Sequence, residues 1–219
     1  MKRNAIDNLI KWKNSEERKP MVLKGARQVG KTWLMKEFGK NYYKNYVYFN
    51  FDEEEELKSI FQMNKNPERI IELLSLIAET KIEPEETLIV LDEIQECPEA
   101  LNALKYFKEK AGEYHVIAAG SLLGTLLAQP KSYPVGMINL LDVYPLTFDE
   151  FLCAMDEYLY DFYINIGKEQ NIEEIFHNRL IDAYNHYLII GGMPECVASW
   201  IKYKDPVRIS KIQRELIEI

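Results

Sequence analysis

The sequence predicts an α/β fold: a parallel central sheet covered by helices on both sides. Three observations predict it. The runs Leu88-Ile89-Val90-Leu91 and Val116-Ile117-Ala118-Ala119 are unbroken apolar stretches of strand length, the pattern of strands buried on both faces. Apolar strands alternate with amphipathic helical stretches through roughly the first 145 residues, which is the signature of a layered α/β sheet. A glycine-bearing loop joins the first strand to the helix after it.

Each element has a local reason. Ile6, Leu9, Ile10 and Lys13 are spaced for a short amphipathic helix. Pro20 leads into a strand over Met21 to Lys24, the loop follows, and Trp33 to Phe38 continue as a helix. Tyr46 to Phe51 form an aromatic strand, closed by the acidic run Asp52 to Glu56, read as a loop or a first helical turn. Pro67 opens a helix carrying Ile70, Ile71, Leu73, Leu74 and Ile77. A strand over Thr87 to Asp92 follows Pro84. Pro98 opens a helix with Leu101, Leu104 and Phe107 on one side, and Gly112 ends it before the strand His115 to Gly120. A helix with Leu122, Leu123, Leu126 and Leu127 on its buried side is expected next. After about Pro145 the strand signals stop. Helices are expected from Phe148, over Ile172 to Tyr187, over Glu195 to Tyr203 and from Pro206 onward, with a break at Gly191-Gly192-Met193-Pro194. The division expected is a core over residues 1–145 and a small helical subdomain over 146–219.

The bulk numbers exclude several classes. A chain of 219 residues, 47% apolar and 28% charged, has the balance of an ordinary globular protein and needs no disulfides to fold. Its three cysteines, Cys97, Cys153 and Cys196, form no C-x-x-C pair, so neither a zinc site nor a disulfide framework is indicated. The net charge of −8 argues against general nucleic-acid binding, which needs a basic footprint. The cluster Lys2, Arg3, Lys11, Lys13, Arg18 and Lys19 reads as a solvated helix face. The N-terminus has no signal-like apolar core, and the apolar stretch Val116 to Ala128 is too short and too interrupted to span a bilayer. A cytoplasmic protein without membrane contact is expected.

The loop Gly25-Ala26-Arg27-Gln28-Val29-Gly30-Lys31-Thr32 fits G-x-x-x-x-G-K-[ST]. The glycines let the backbone curl its N–H groups toward anionic oxygens, and the helix that follows points its positive end at the same place. Lys31 reaches for terminal phosphates as a compact cation, and the Thr32 hydroxyl is of the type that ligands Mg²⁺. The eight loop residues and Trp33 beyond them are the candidate nucleotide-binding residues.

Asp92-Glu93 follows the second apolar run. Ligands gather at the carboxyl edge of such sheets, so Asp92 is the candidate for holding Mg²⁺, directly or through water. Glu93 is the candidate for activating an attacking water as general base. Ser121 ends the next strand. It is read as sensing the γ-phosphate or the water, with capping of the following helix as the rival reading. Its setting, G-S-x-x-G, is not that of a nucleophilic serine, and His115, His177 and His186 have no evident ligand role.

The strings LKGARQVGKTWLMKEF, LIVLDEIQECPEALNALKYF, HVIAAGSLLG, YPLTFDEFL and YLIIGGMPE resemble the bacterial and archaeal AAA-type ATPases. In that family an N-terminal ATPase domain precedes a C-terminal domain of unknown function similar to a restriction-endonuclease fold. The resemblance runs from about residue 3 to residue 219, and it implies an ASCE-type P-loop NTPase fold, a three-layer sandwich followed by a helical lid. It implies ATP and Mg²⁺ as ligands, phosphate binding by Gly25 to Thr32, and metal and water handling by Asp92 and Glu93. Lys31, Glu93 and Ser121 are the implied catalytic set. Full-length members are about twice as long, so the C-terminal domain is expected to be absent here. Arg27, Gln28 and Gln95 match family positions whose roles the residues alone do not reveal. Met137 stands where many relatives carry Lys or Arg before an apolar strand. Arg69, Arg179, Arg208 and Arg214 remain as possible arginine fingers, with Arg179 preferred.

The function expected is Mg-dependent ATP hydrolysis coupled to a conformational change, acting on a protein partner or through self-association. The alternative is a slow or non-hydrolysing switch whose partner affinity follows the bound nucleotide. A small-molecule phosphotransferase lacks any signature for an acceptor pocket.

Overall fold

The computed structural model describes residues 1–121, 136–167 and 171–218. The helix expected after Ser121 and the Pro134-Val135 pair lie outside them. The described chain forms two compact units, Ala5–Val143 and Met1–Asn4 with Tyr144–Ile219.

The larger unit is a parallel sheet with helices on both faces. Its elements in chain order are α1 (Ala5–Lys13), β1 (Met21–Lys24), α2 (Lys31–Tyr42), β2 (Asn45–Asn50), α3 (Glu55–Met63), α4 (Pro67–Ile77), β3 (Thr87–Asp92), a 3-10 turn (Ile94–Glu96), α5 (Pro98–Lys110), β4 (His115–Gly120) and β5 (Asn139–Asp142). The strands lie in the order β2-β3-β4-β1-β5, all parallel. This is the layered α/β sheet that the alternation predicts, in the three-layer P-loop NTPase architecture that the resemblance implies. β3 and β4 are buried at every position, which is why they read as continuous apolar runs rather than alternating ones. Ile89 and Leu91 join Val47, Phe49, Val116 and Ala118 in a core with Leu57 and Phe61 of α3, Ile70 and Leu74 of α4, and Leu104 and Phe107 of α5. Side chains alternate along a strand, so Leu88 and Val90 face the other side, where α2 packs over β2, β3 and β4. There α2 buries Leu34, Met35 and Phe38.

The registers align the carboxyl ends of the strands. Leu91 pairs with Ala118 and Ala118 with Val22, so Asp92 is level with Leu23 and the loop after Lys24 begins just beyond it. Lys24 in turn pairs with Gly120 and with Asp142.

The smaller unit is helical, with α6 (Phe148–Met155), α7 (Glu157–Ile164), α8 (Glu174–Ile190), α9 (Pro194–Tyr203) and α10 (Pro206–Ile217). A capping box starts α6: the Thr147 side chain accepts from the Glu150 N–H and the Glu150 carboxylate accepts from Thr147 N–H. The same buried carboxylate accepts from the Asn4 N–H at 2.6 Å and pairs with Arg3 at 3.4 Å, which ties the first four residues to this unit. Gly191 ends α8 with φ 74. An added Cβ on Gly192 would lie 2.1 Å from the Leu146 carbonyl oxygen, and Leu146 N–H donates to Gly192 O at 2.6 Å. YPLTFDEFL and YLIIGGMPE thus meet backbone to backbone. Among the described residues no helix is long and apolar enough to cross a membrane.

Candidate functional site

The phosphate-loop residues close a compact turn between β1 and α2. Gly25 has no room for a side chain: a Cβ there would lie 2.2 Å from the Val143 carbonyl oxygen at the end of β5. Gln28 has φ 62 and Gly30 φ 90, so the turn passes twice through left-handed backbone, easily for glycine and at a cost for glutamine. Gly30 is the N-cap of α2 and supplies no capping side chain. The first-turn N–H groups of this helix are therefore left for an external acceptor. Val29 is fully buried and anchors the loop from beneath, while Ala26, Arg27 and Gln28 are exposed. Trp33 is exposed on the first turn of α2.

Lys31 is buried, and its ammonium donates to the carbonyls of Gly25 at 2.9 Å and Ala26 at 2.7 Å. Burial pushes its pKa below the ordinary lysine value, and the carboxylates of Glu93 and Asp92 oppose that shift. A cation so placed, dehydrated and facing loop carbonyls, gains most from an anion that replaces its lost water.

Thr32 and Asp92 meet. The Thr32 hydroxyl donates to Asp92 Oδ2 at 2.6 Å, joining the first turn of α2 to the tip of β3. Asp92 is 2% exposed and takes two further donors: the Tyr48 hydroxyl to Oδ2 at 3.0 Å and the Glu93 N–H to Oδ1 at 3.0 Å. The three donors satisfy both oxygens of this buried carboxylate. Burial and the adjacent Asp92 charge raise the Tyr48 pKa, so the phenol stays a donor. Because the Thr32 proton points at Asp92, the lone pairs of its oxygen face away from that carboxylate.

Glu93 is half-buried and left-handed, with φ 48 and ψ 44, a conformation that is uncommon outside glycine and asparagine. Its Oε2 accepts from Gln95 Nε2 at 2.6 Å. Ser121 directly follows Gly120, the partner of Lys24, and is half-buried.

The fold therefore brings Gly25 to Trp33, Asp92, Glu93 and Ser121 to one edge of the sheet. Two residues at this site carry no motif that marks them. The sequence marks Tyr48 only as part of an aromatic strand, although its register beside Val90 puts its hydroxyl within reach of Asp92. Gln95 has no role that its type reveals, and its spacing of two from Glu93 is the signal the sequence offers. Of the arginines considered as fingers, Arg179 pairs with Asp156 at 2.6 Å and Arg69 with Glu72 at 2.5 Å, and Arg208 stacks on the Tyr203 ring at 4.0 Å. Among the described residues no group of three or more His, Cys, Asp or Glu side chains could hold a metal ion.

No curated protein matches the sequence. Among solved structures, the chain is similar to the Walker-type ATPase of Pyrococcus abyssi, with a TM-score of 0.58 and 17% identity over 99% of this chain and 72% of that one. It is also similar to PCH-2 of C. elegans, with a TM-score of 0.51 and 12% identity over 98% of this chain and 66% of that one. At such identities the likeness is one of fold. Over residues 17–152, more than half of its length, the sequence matches the model of the AAA domain, and the chain belongs to that family of nucleotide-binding P-loop domains.

Proposed function

We propose that the chain binds ATP with Mg²⁺ and hydrolyses it, using the change of bound nucleotide to alter its conformation. One observation carries the reading: the 2.6 Å hydrogen bond from Thr32 to Asp92, which unites the phosphate loop and the acidic strand tip in one site. The residues fit the ligand. Gly25 leaves the space a Cβ would fill, and the uncapped α2 N-terminus and dehydrated Lys31 call for an anion. The protein offers the Thr32 oxygen and Asp92 as its own donors, too few for an all-protein cage, which suits an ion that shares phosphate oxygens. When bound, Mg²⁺ neutralises charge on the phosphates.

The chain's own residues do the rest. Gly25 to Thr32 hold the phosphates by backbone N–H groups, and Lys31 leaves the loop carbonyls to meet terminal phosphate oxygens. Asp92 orients the Thr32 hydroxyl and, with Thr32, would hold the metal, directly or through water. Glu93 takes the proton from the attacking water. Ser121 reads the γ-phosphate, and the helical unit serves as a lid that carries the nucleotide state to a protein partner or a second copy. Cytoplasmic work without nucleic acid or membrane suits the acidic chain.

Mg-ATP turnover by the wild type beside Glu93→Gln tests this. The variant is expected to bind ATP with unchanged affinity and to hydrolyse it at least about 100-fold more slowly. Equal turnover rejects Glu93 as the base. A second reading, a switch that hydrolyses slowly or not at all, is favoured by Met137 and by the ion pairs of Arg69 and Arg179. It predicts partner affinity that differs between ATP and ADP while wild-type turnover stays near zero.

A further inference from the structure

The amide of Gln95 donates to Glu93 Oε2 at 2.6 Å. A carboxylate only accepts, so the nitrogen end of the amide faces it. The other end, Gln95 Oε1, is buried without a partner among the described residues. A buried carbonyl left unpaired is unfavourable. The arrangement is therefore maintained by what the nitrogen does. Three features converge on the same carboxylate. Its residue holds a left-handed backbone, it opens a 3-10 turn with no side-chain cap of its own, and its charge acts on the Lys31 ammonium in the phosphate loop. Strained backbone next to an oriented side chain is how sites fix a reacting group.

We propose that Gln95 is the positioning residue for Glu93: its amide pins Oε2, so that Oε1 is the oxygen offered to the reacting water. The inference rests on the reading of Glu93 as general base. Gln95 touches neither water nor nucleotide in this role and acts through Glu93 alone. A carboxylate on a free side chain samples several rotamers, and one hydrogen bond at the correct oxygen removes that freedom before ATP arrives.

Gln95→Met tests this, because it keeps length and volume and removes the donor. Single-turnover hydrolysis is expected to fall about tenfold to a hundredfold, while affinity for a fluorescent ATP analogue with Mg²⁺ stays within about twofold. Gln95→Lys, which restores a donor, is expected to recover part of the rate. Gln95→Asn, one methylene shorter, is expected to behave like Met and stands in for it if Met does not fold. A readout without nucleotide accompanies these assays: thermal unfolding of Gln95→Met, Glu93→Ala and the double variant. The two shifts are expected to combine to less than their sum, since both remove one contact. Full turnover by Gln95→Met or by Gln95→Asn, or strictly additive shifts, overturns the inference while an inactive Glu93→Gln leaves the base in place. Wild-type turnover by Glu93→Gln instead overturns the reading beneath it.

Discussion

Replacing Gly25 by alanine tests the phosphate loop at its tightest point. The added Cβ would lie 2.2 Å from Val143 O, 3.2 Å from Val143 C and 3.3 Å from Val29 Cγ2. Ordinary contact begins near 3.4 Å, so about 1 Å of separation has to be found at the carbonyl. No flexible side chain can yield it. The Val143 N–H donates to Lys24 O at 2.7 Å, so the obstacle is tied to the residue before Gly25, and Val29 beneath the loop is fully buried. Either the end of β5 peels from β1 or the loop lifts. Overpacking of this kind costs about 1–3 kcal/mol, which for a chain of this size lowers Tm by roughly 2–12 °C. The loop N–H groups must converge on one anion, so a lifted loop is expected to lose at least about tenfold in ATP affinity, or about 1.4 kcal/mol. Differential scanning fluorimetry and titration with a fluorescent ATP analogue measure the two effects. Wild-type Tm together with wild-type affinity would refute the placement of Gly25 against β5.

Two further perturbations separate the site from the scaffold. Tyr48→Phe removes one of the three donors on the buried Asp92 carboxylate. It is expected to cost about 1–3 kcal/mol in urea unfolding and to raise the Mg²⁺ concentration needed for half-maximal turnover; an unchanged unfolding midpoint speaks against the contact. His115 lies buried against Trp12 and Tyr43, and its Nδ1 is 2.6 Å from the Tyr43 hydroxyl. Burial, with lesser effects from Arg18 and Lys13, lowers its pKa from 6.5 to about 4. The unfolded chain therefore takes up this proton first. The stability that neutral His115 contributes is whole above pH 6.5, falls between 6.5 and about 4, and changes no further below. The loss is roughly 3 kcal/mol. Urea midpoints for wild type and His115→Gln across that window check it, and equal slopes would dismiss His115 as the source.

The loop and the two buried strands were legible because each is specified locally. G-x-x-x-x-G-K-T fixes its own backbone, and a short apolar run rich in β-branched residues and bounded by turn residues suits a strand buried on both faces. Elements with weaker contrast were not. The acidic run after β2 left loop and helix open, and α3 begins within it, burying only Leu57 and Phe61. The segment Glu157 to Ile164 is apolar nearly all round and buries only Leu159 and Tyr160, so no periodic face marks it. α8 runs to Ile190, three residues beyond the expected end, because Gly191 is the first residue there able to take a positive φ without strain.

The same contrast separates the residues proposed to do the chemistry from those that hold them. Lys31, Thr32, Asp92 and Glu93 stand out by position: the first two complete the G-x-x-x-x-G-K-[ST] spacing, and the other two follow an unbroken apolar run. Tyr48 and Gln95 have ordinary types at ordinary positions. Their meaning arises only from register: β2 beside β3 carries the Tyr48 phenol to Asp92, and a left-handed Glu93 lets an amide two residues on turn back to its carboxylate. Even Gly25, the first letter of the motif, has a second reason that the motif does not contain. Its missing side chain leaves room for the Val143 carbonyl at the end of β5, a strand that Met137 and its neighbours signal only weakly. The loop is thus held by an element the sequence separates from it, and its glycine serves the sheet edge as well as the phosphate the loop is proposed to bind.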